Sequence, residues 1–297
     1  MEQNGLLCPD GDETSFKKGS LFNETLLSLR QNRLAMLGMV ILVMLILVAI
    51  FADVIAPYSI DDQQLSSRFQ QPSQAHLFGT DNLGRDIFSR IVYGSRISLA
   101  IGASAATISA LIGVLLGSIA GFYGGRVENL IMRFTDILMA IPSTLLAISI
   151  ISALGPGLTN TIIAVSIGAV PGYVRVVRAS ILSVKEQEYI EAARSIGAED
   201  GRIVCSHILP NCFAPILVQI TLGVARAIQV AAALSFIGLG VLPPNPEWGS
   251  MLSAARPYIR EHWHMVVFPG LAIMATIFGL NLFGDGLRDS LDPRLKT

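Results

Sequence analysis

What most constrains this chain is where its charges are missing. No Asp, Glu, Lys or Arg occurs in residues 34–52, 97–125, 137–174, 203–225, 227–246 or 265–284, and these runs hold about half of the 297 residues. About 20 apolar residues are enough to cross the hydrocarbon core of a bilayer as a helix, so each run is long enough to span. With 14% charged and 52% hydrophobic residues, and the charges set apart from these runs, the chain cannot clothe a soluble domain of this size. Composition therefore excludes a soluble enzyme, a secreted disulfide scaffold and a disordered chain. Three cysteines, Cys8, Cys205 and Cys212, do not make a disulfide framework. The fold class is an all-α polytopic membrane protein.

Breaker residues divide the runs into six transmembrane helices, at about 34–56, 97–122, 132–154, 158–176, 211–234 and 265–284. The run 137–174 is too long for one helix, and Gly155-Pro156-Gly157 splits it. The Gly/Pro-rich stretch 238–246 reads as a surface loop, with a seventh span inside 203–246 as the alternative. The first 33 residues form a polar tail, too long for the n-region of a signal peptide, so the first span is retained. With N and C termini both cytoplasmic, 14 basic residues lie inside and 6 outside, the bias that cytoplasmic loops carry. The tail 1–33 thus precedes a membrane domain, 34–297, whose largest outer loops are 53–96 and 235–264. Its long cytoplasmic connection is 186–210.

That connection has helical grammar. Glu186, Glu188 and Glu191 crowd the start of a stretch, Arg194 lies near its end, and Gly197 follows as a stop. Tyr189, Ala192, Ala193 and Ile196 recur at i, i+3, i+4 and i+7, which predicts one apolar stripe. A second helical stretch runs from about Glu199 to Pro210. The pattern suits a lever across the membrane surface, or an interfacial helix resting on lipid headgroups.

The spacing Glu191-Ala192-Ala193, three residues, Gly197, then Leu209-Pro210 resembles the EAA loop of ABC importer permease subunits. It departs at one position, since His207 stands where Ile is expected and Ile208 falls one place late. Four further segments are similar to the dipeptide/oligopeptide permease branch, and more narrowly to its C-type subunit. They are His76-Leu77-Phe78-Gly79-Thr80-Asp81, Gly84-Arg85-Asp86, Pro246-Glu247-Trp248-Gly249 and Gly284-Asp285-Gly286-Leu287-Arg288-Asp289. The resemblance implies a type I ABC importer permease fold in the cytoplasmic membrane of a prokaryote. It implies a homologous permease subunit, two ATPase subunits and an extracytoplasmic solute-binding protein as partners, with no nucleic acid. It also implies that Glu188, Tyr189, Glu191, Ala192, Ala193, Arg194, Gly197, Leu209 and Pro210 dock and couple to an ATPase, through a coupling helix at 186–197. Nickel or glutathione permeases of the same family are the near alternatives.

No Gly-Lys pair exists in the chain, so it has no phosphate-cradling P-loop, and no nucleophile elbow or zinc motif occurs. The expectation is a non-catalytic subunit with no cofactor of its own, ATP and Mg being bound by partner ATPases, and no metal site. Glu261, His262 and His264 read as an interfacial cluster rather than metal ligands. Arg226 lies roughly 22 Å along span five from Asn211 at 1.5 Å per residue. A charge at that depth needs a partner or a watery cavity, so Arg226 is a pathway candidate that could attract a peptide carboxylate, or else a structural pair or a snorkelling side chain. Gly113, Gly117, Gly121 and Gly125 recur every four residues, a face for close helix packing within the subunit or across to a partner. Residues 86–96 read as an amphipathic helix at the outer interface, and Asp86, Phe88, Glu247 and Trp248 as a contact surface for the binding protein. An ion-coupled secondary transporter is the alternative from another class; it would keep a carboxylate deep in a span, whereas Asp53, Asp136 and Asp285 lie at span ends.

Overall fold

The computed structural model describes residues 28–291; most of the polar tail, with Cys8, Lys17 and Lys18, and the last six residues, with Arg294 and Lys296, lie outside them. The described chain is helical, with no strand among the described residues beyond an isolated bridge between Thr80 and Asp86. Its main elements are α1 (Arg33–Ile50), α2 (Ala52–Ile55), α3 (Ile87–Tyr123), α4 (Gly125–Ala140), α5 (Ser143–Leu154), α6 (Leu158–Lys185), α7 (Glu188–Ser195), α8 (Phe213–Phe236), α9 (Trp248–Ala255) and α10 (His264–Leu291). Five helical stretches are long and apolar enough to cross a membrane: α1, α3, α6, Asp200–Phe236 and α10. The pair α4 and α5, bent by 88°, makes a sixth if it is one broken span.

Several expected boundaries move, each for a local reason. Span two starts at Ile87, not 97, because the Asp86 carboxylate accepts the Ser89 N–H at 2.7 Å and caps the helix. Residues 86–96 are therefore not a separate interfacial helix; Ile87, Arg90 and Val92 are buried in this chain. Span three is broken at Pro142, which has no N–H to donate and forces Ile141 into extended backbone (φ −97°, ψ 127°). Span four continues past 176 to Lys185, whose ammonium donates to the Phe122 carbonyl at the end of α3. The helical path of span five begins at Asp200 and passes through a wide turn (Ile203–Ile208) and a tight one (Leu209–Cys212) before α8.

The most extensive helix interface is α3 against α6. Gly113, Gly117 and Gly121 meet Tyr173, Val177 and Ile181, two rows each spaced by four residues, so the small-residue face packs within the chain. Ser109 adds a hydroxyl donated to the Ser166 carbonyl at 2.9 Å. Gly125 takes no part: it has open space around it and a φ of +57°, and it turns the chain into α4. A second close contact joins α1 to α10, where Gly38 backs onto the Gly279 carbonyl and Gly286 onto Ala35. Helix α8 sits centrally, touching α3, α6 and α10.

At the end where α3 begins, segments 53–86 and 237–263 fold into a cap. Asp81 accepts the backbone N–H groups of Leu83 and Arg85 and pairs with the Arg85 side chain at 2.7 Å. Asp86 also meets the His76 ring nitrogen at 3.0 Å. Buried Arg90 donates to the carbonyls of Ile60 and Pro244, which stitches both cap segments to α3. Arg96 closes α1, donating to the Ala49 and Ile50 carbonyls and to Asp53, as a cation at a helix C-terminus should.

Candidate functional site

Two features outside the packed core carry chemistry. The first is a cavity of about 310 Å³ that opens where α4 breaks into α5 and is walled by α6 and α8. On α8, Gln219, Gly223, Arg226 and Val230 fall at helical spacing and share the face that lines it. Across from them, α6 contributes Gly168, Pro171, Gly172 and Tyr173, and the break contributes Ile141, Pro142 and Ser143. Arg226 is the one charged residue in this lining. It forms no ion pair among the described residues, and its Nε reaches only the Leu222 carbonyl one turn back at 3.4 Å. The structural-pair reading of Arg226 therefore finds no partner within the described chain. Tyr173 is 2% exposed, and its hydroxyl has no hydrogen-bond partner among the described residues. That hydroxyl occupies the space that a side chain at residue 223 would need, so Gly223 is required by close approach.

Just beyond the cavity, α4 is tied to α6 by two ion pairs. Arg175 reaches Asp136 at 2.6 Å, and Arg178 holds Glu128. These pairs fix the first half of the broken span, while α5 leaves at nearly a right angle.

The second feature is the hairpin at the opposite end from the cap. Glu188 and Glu191 lie in the first turn of α7 and Arg194 in its last, as the macrodipole favours. Gly197 has a φ of +81°, a backbone state that favours glycine, and it reverses the chain. The expected stripe of Tyr189, Ala192, Ala193 and Ile196 lines one groove, and a second face of α7 is buried. Ile190 and Ala193 form the buried face, joined to Phe122, Val177, Ile181, Ile203, Ile208 and Cys212. Tyr189, Ala192 and Ile196 are exposed, Ile196 at 86%. With Gly197, Arg202 and His207 they border a groove of about 580 Å³. Leu209 and Pro210 make the tight turn into α8.

The four residues expected to contact a partner from the cap end are mostly interior. Asp86, Glu247 and Trp248 are 4%, 2% and 1% exposed, so they build the cap rather than its outer face. Glu247 caps α9 through the N–H groups of Gly249 and Ser250, at 2.9 and 2.8 Å. Burial raises its pKa above the ordinary carboxylate value, against the lowering effect of those N–H groups and the Ser235 hydroxyl. The Trp248 indole N–H donates to the Ile91 carbonyl at 3.0 Å. Phe88 is half-buried, edge-on to Phe78. Nearby, the hydrogen bond from Arg96 holds the exposed Asp53 carboxyl below its ordinary range.

Sequence reasoning missed Tyr173, Gln219 and Ser143. Gln219 was within reach, because it precedes Arg226 by seven residues and so shares its face. Tyr173 carried no such signal, since a tyrosine inside an apolar helix reads as core.

The family model described as "Binding-protein-dependent transport system inner membrane component" matches residues 113–297, and that for the N-terminal transmembrane domain of oligopeptide transport permease C matches 20–72. The chain belongs to this family of ABC importer permeases. The dipeptide transport system permease protein DppC of Alkalihalophilus pseudofirmus is 48% identical over 96% of this chain and 94% of its own length. The oligopeptide transport system permease protein OppC of Bacillus subtilis is 44% identical, over 97% and 94%. The glutathione transport system permease protein GsiD of Escherichia coli is 48% identical, over 90% and 88%. Among solved structures, the inward-facing MetNI methionine ABC transporter has a chain that superposes with a TM-score of 0.58 at 20% identity. The match covers 69% of this permease and 98% of that chain, so the shared fold takes in most of the bundle.

Proposed function

We propose that this permease is one membrane-spanning half of an ATP-driven importer of di- and oligopeptides in the cytoplasmic membrane of a prokaryote. The observation that carries this reading is the 44–48% identity, over at least 90% of the chain, to permeases named for dipeptide, oligopeptide and glutathione transport. Glutathione is itself a tripeptide, so these solutes form one chemical class. The basic bias of the connecting segments puts both termini and the hairpin in the cytoplasm, and the cap outside.

In this arrangement the cavity at the α4/α5 break is part of the translocation path, with Arg226 in its wall. A homologous permease subunit supplies the other half of the path. Two ATPase subunits, which hold ATP and Mg, dock at the hairpin, and a solute-binding protein delivers peptide to the cap. The chain performs no chemical step. Helix α7 is seated by Ile190 and Ala193 on the cluster that includes the ends of α3 and α6. Closure of the ATPases would therefore move those helices as a unit and expose the cavity to each side in turn.

Uptake into vesicles holding the reconstituted complex tests the reading. Peptide accumulation should require ATP inside together with the ATPase subunits. Accumulation driven by an ion gradient with ATP withheld would show a secondary transporter instead.

A further inference from the structure

We infer that the cavity at the α4/α5 break is a carboxylate-recognition subsite, so that the permease itself, and not only the binding protein, selects peptides with a free C-terminal carboxylate. The inference rests on the peptide reading above and adds to it the chemical group that this site recognises.

Three independent observations converge on an anion. Arg226 places a permanent positive charge in a wall otherwise made of uncharged residues, with no acidic side chain in the lining. A guanidinium at that depth is costly unless it meets water or an anion, and it offers a planar fork that suits a carboxylate. The Tyr173 hydroxyl is buried in the same wall without a partner. A buried polar group left unmade is expensive; the Tyr173 hydroxyl is packed against Gly223 in the lining it shares with Arg226, and a turn of its ring away from Gly223 lets it donate to a second carboxylate oxygen. Finally, the break at Pro142 puts Ser143, the first residue of the twelve-residue helix α5, in the cavity wall, with no side chain capping that helix end. The first N–H groups of a helix lack intrahelical acceptors and carry partial positive charge; broken membrane helices use such ends on substrate carboxylates. The Gln219 amide, on the same face as Arg226, is placed for the adjoining peptide group. The cavity, about 310 Å³, holds the end of a peptide rather than its length, which fits a terminal-group subsite.

The test compares one tripeptide as free acid and as C-terminal amide in reconstituted vesicles. The binding protein is preloaded to saturation with either form, so that its own preference drops out. Wild type should move the acid about tenfold or more faster than the amide, the scale of one charged hydrogen-bond set. Arg226→Met should assemble with its partners and move both forms at equal rates. Tyr173→Phe, which removes only the hydroxyl, should keep assembly and lose part of the preference. Equal handling of acid and amide by wild type, or an unaltered preference in Arg226→Met, overturns the subsite while leaving peptide transport intact. Failure of Arg226→Met to assemble marks Arg226 as an intersubunit pair and also overturns it. A wild-type complex that hydrolyses ATP but moves neither peptide refutes the peptide reading itself.

Discussion

Replacing Gly117 by alanine adds one methyl group at the centre of the α3/α6 interface. The new Cβ would lie 2.8 Å from the Val177 Cβ, 2.9 Å from the Val174 carbonyl oxygen and 3.0 Å from the Val177 Cγ1. The first two of these atoms are fixed to the backbone of α6, so no change of rotamer relieves the clash. To reach the 3.4 Å at which ordinary contact begins, the helices must separate by about 0.6 Å, and close-packed interiors resist such shifts. Because α3 is rigid, the contacts at Gly113 and Gly121 would loosen with it. Overpacking of this kind costs about 1–3 kcal/mol, and the better helix propensity of alanine returns about 1 kcal/mol. The net expectation is a loss of about 0–2 kcal/mol, and a larger one for Gly117→Leu. The matched control is Gly270→Ala in α10, where nothing lies within 4 Å of the added carbon; it should be neutral or stabilising by up to about 1 kcal/mol. Thermal melting of the detergent-solubilised complex, followed by fluorescence-detected size exclusion, reads both. If Gly117→Ala melts at or above wild type while Gly270→Ala melts lower, the packing argument is wrong.

Further outcomes follow from the hairpin and the cap. Ile190→Ala should cost about 2–4 kcal/mol by leaving a cavity beneath α7, and should lower both melting temperature and ATPase co-purification; Ile196→Ala, at a residue 86% exposed, should leave melting alone and weaken only co-purification. Glu247→Ala should cost about 1–2 kcal/mol through loss of the α9 cap, seen as faster proteolysis of segment 237–263. The pH dependence of the Glu247 cap has a definite sign. A carboxyl whose folded pKa is raised binds more protons folded than unfolded, so its contribution to stability falls as pH rises from the unfolded value through the raised one, and returns on acidification. Wild type should show that slope in melting temperature, and Glu247→Gln should flatten it; equal slopes would refute the assignment.

Much of the helical order was legible because its signals are local. Gly155-Pro156-Gly157 separates α5 from α6, and the spacing from Glu191 to Pro210 places a short helix and a reversal at Gly197 where the chain makes them. Span ends were less legible. Charge marked the edge of span two at Arg96, yet α3 starts at Ile87, because Arg90 is absorbed by carbonyls of the cap and Arg96 by the last carbonyls of α1 and the Asp53 carboxylate. Which face of α7 is buried was not legible either. Tyr189, Ala192 and Ile196 satisfy helical spacing, and so do Ile190 and Ala193; periodicity does not say which face meets a neighbour.

By itself the amino-acid sequence determined that this chain lives in a membrane as a set of helices, roughly how many, and where the hairpin lies. Those properties depend on apolar length, charge and breaker residues read along the chain. Only the tertiary structure decided that Asp86, Glu247 and Trp248 face inward, that the glycine row of α3 is matched by Tyr173, Val177 and Ile181, and that Arg226, Tyr173 and the opened end of α5 border one cavity. Arg226 and Ser143 lie far apart along the chain, on opposite sides of α6 and the hairpin. What brings them together is the crossing of α6 and α8 and the bend at Pro142, which depend on surfaces meeting in space rather than on any local pattern.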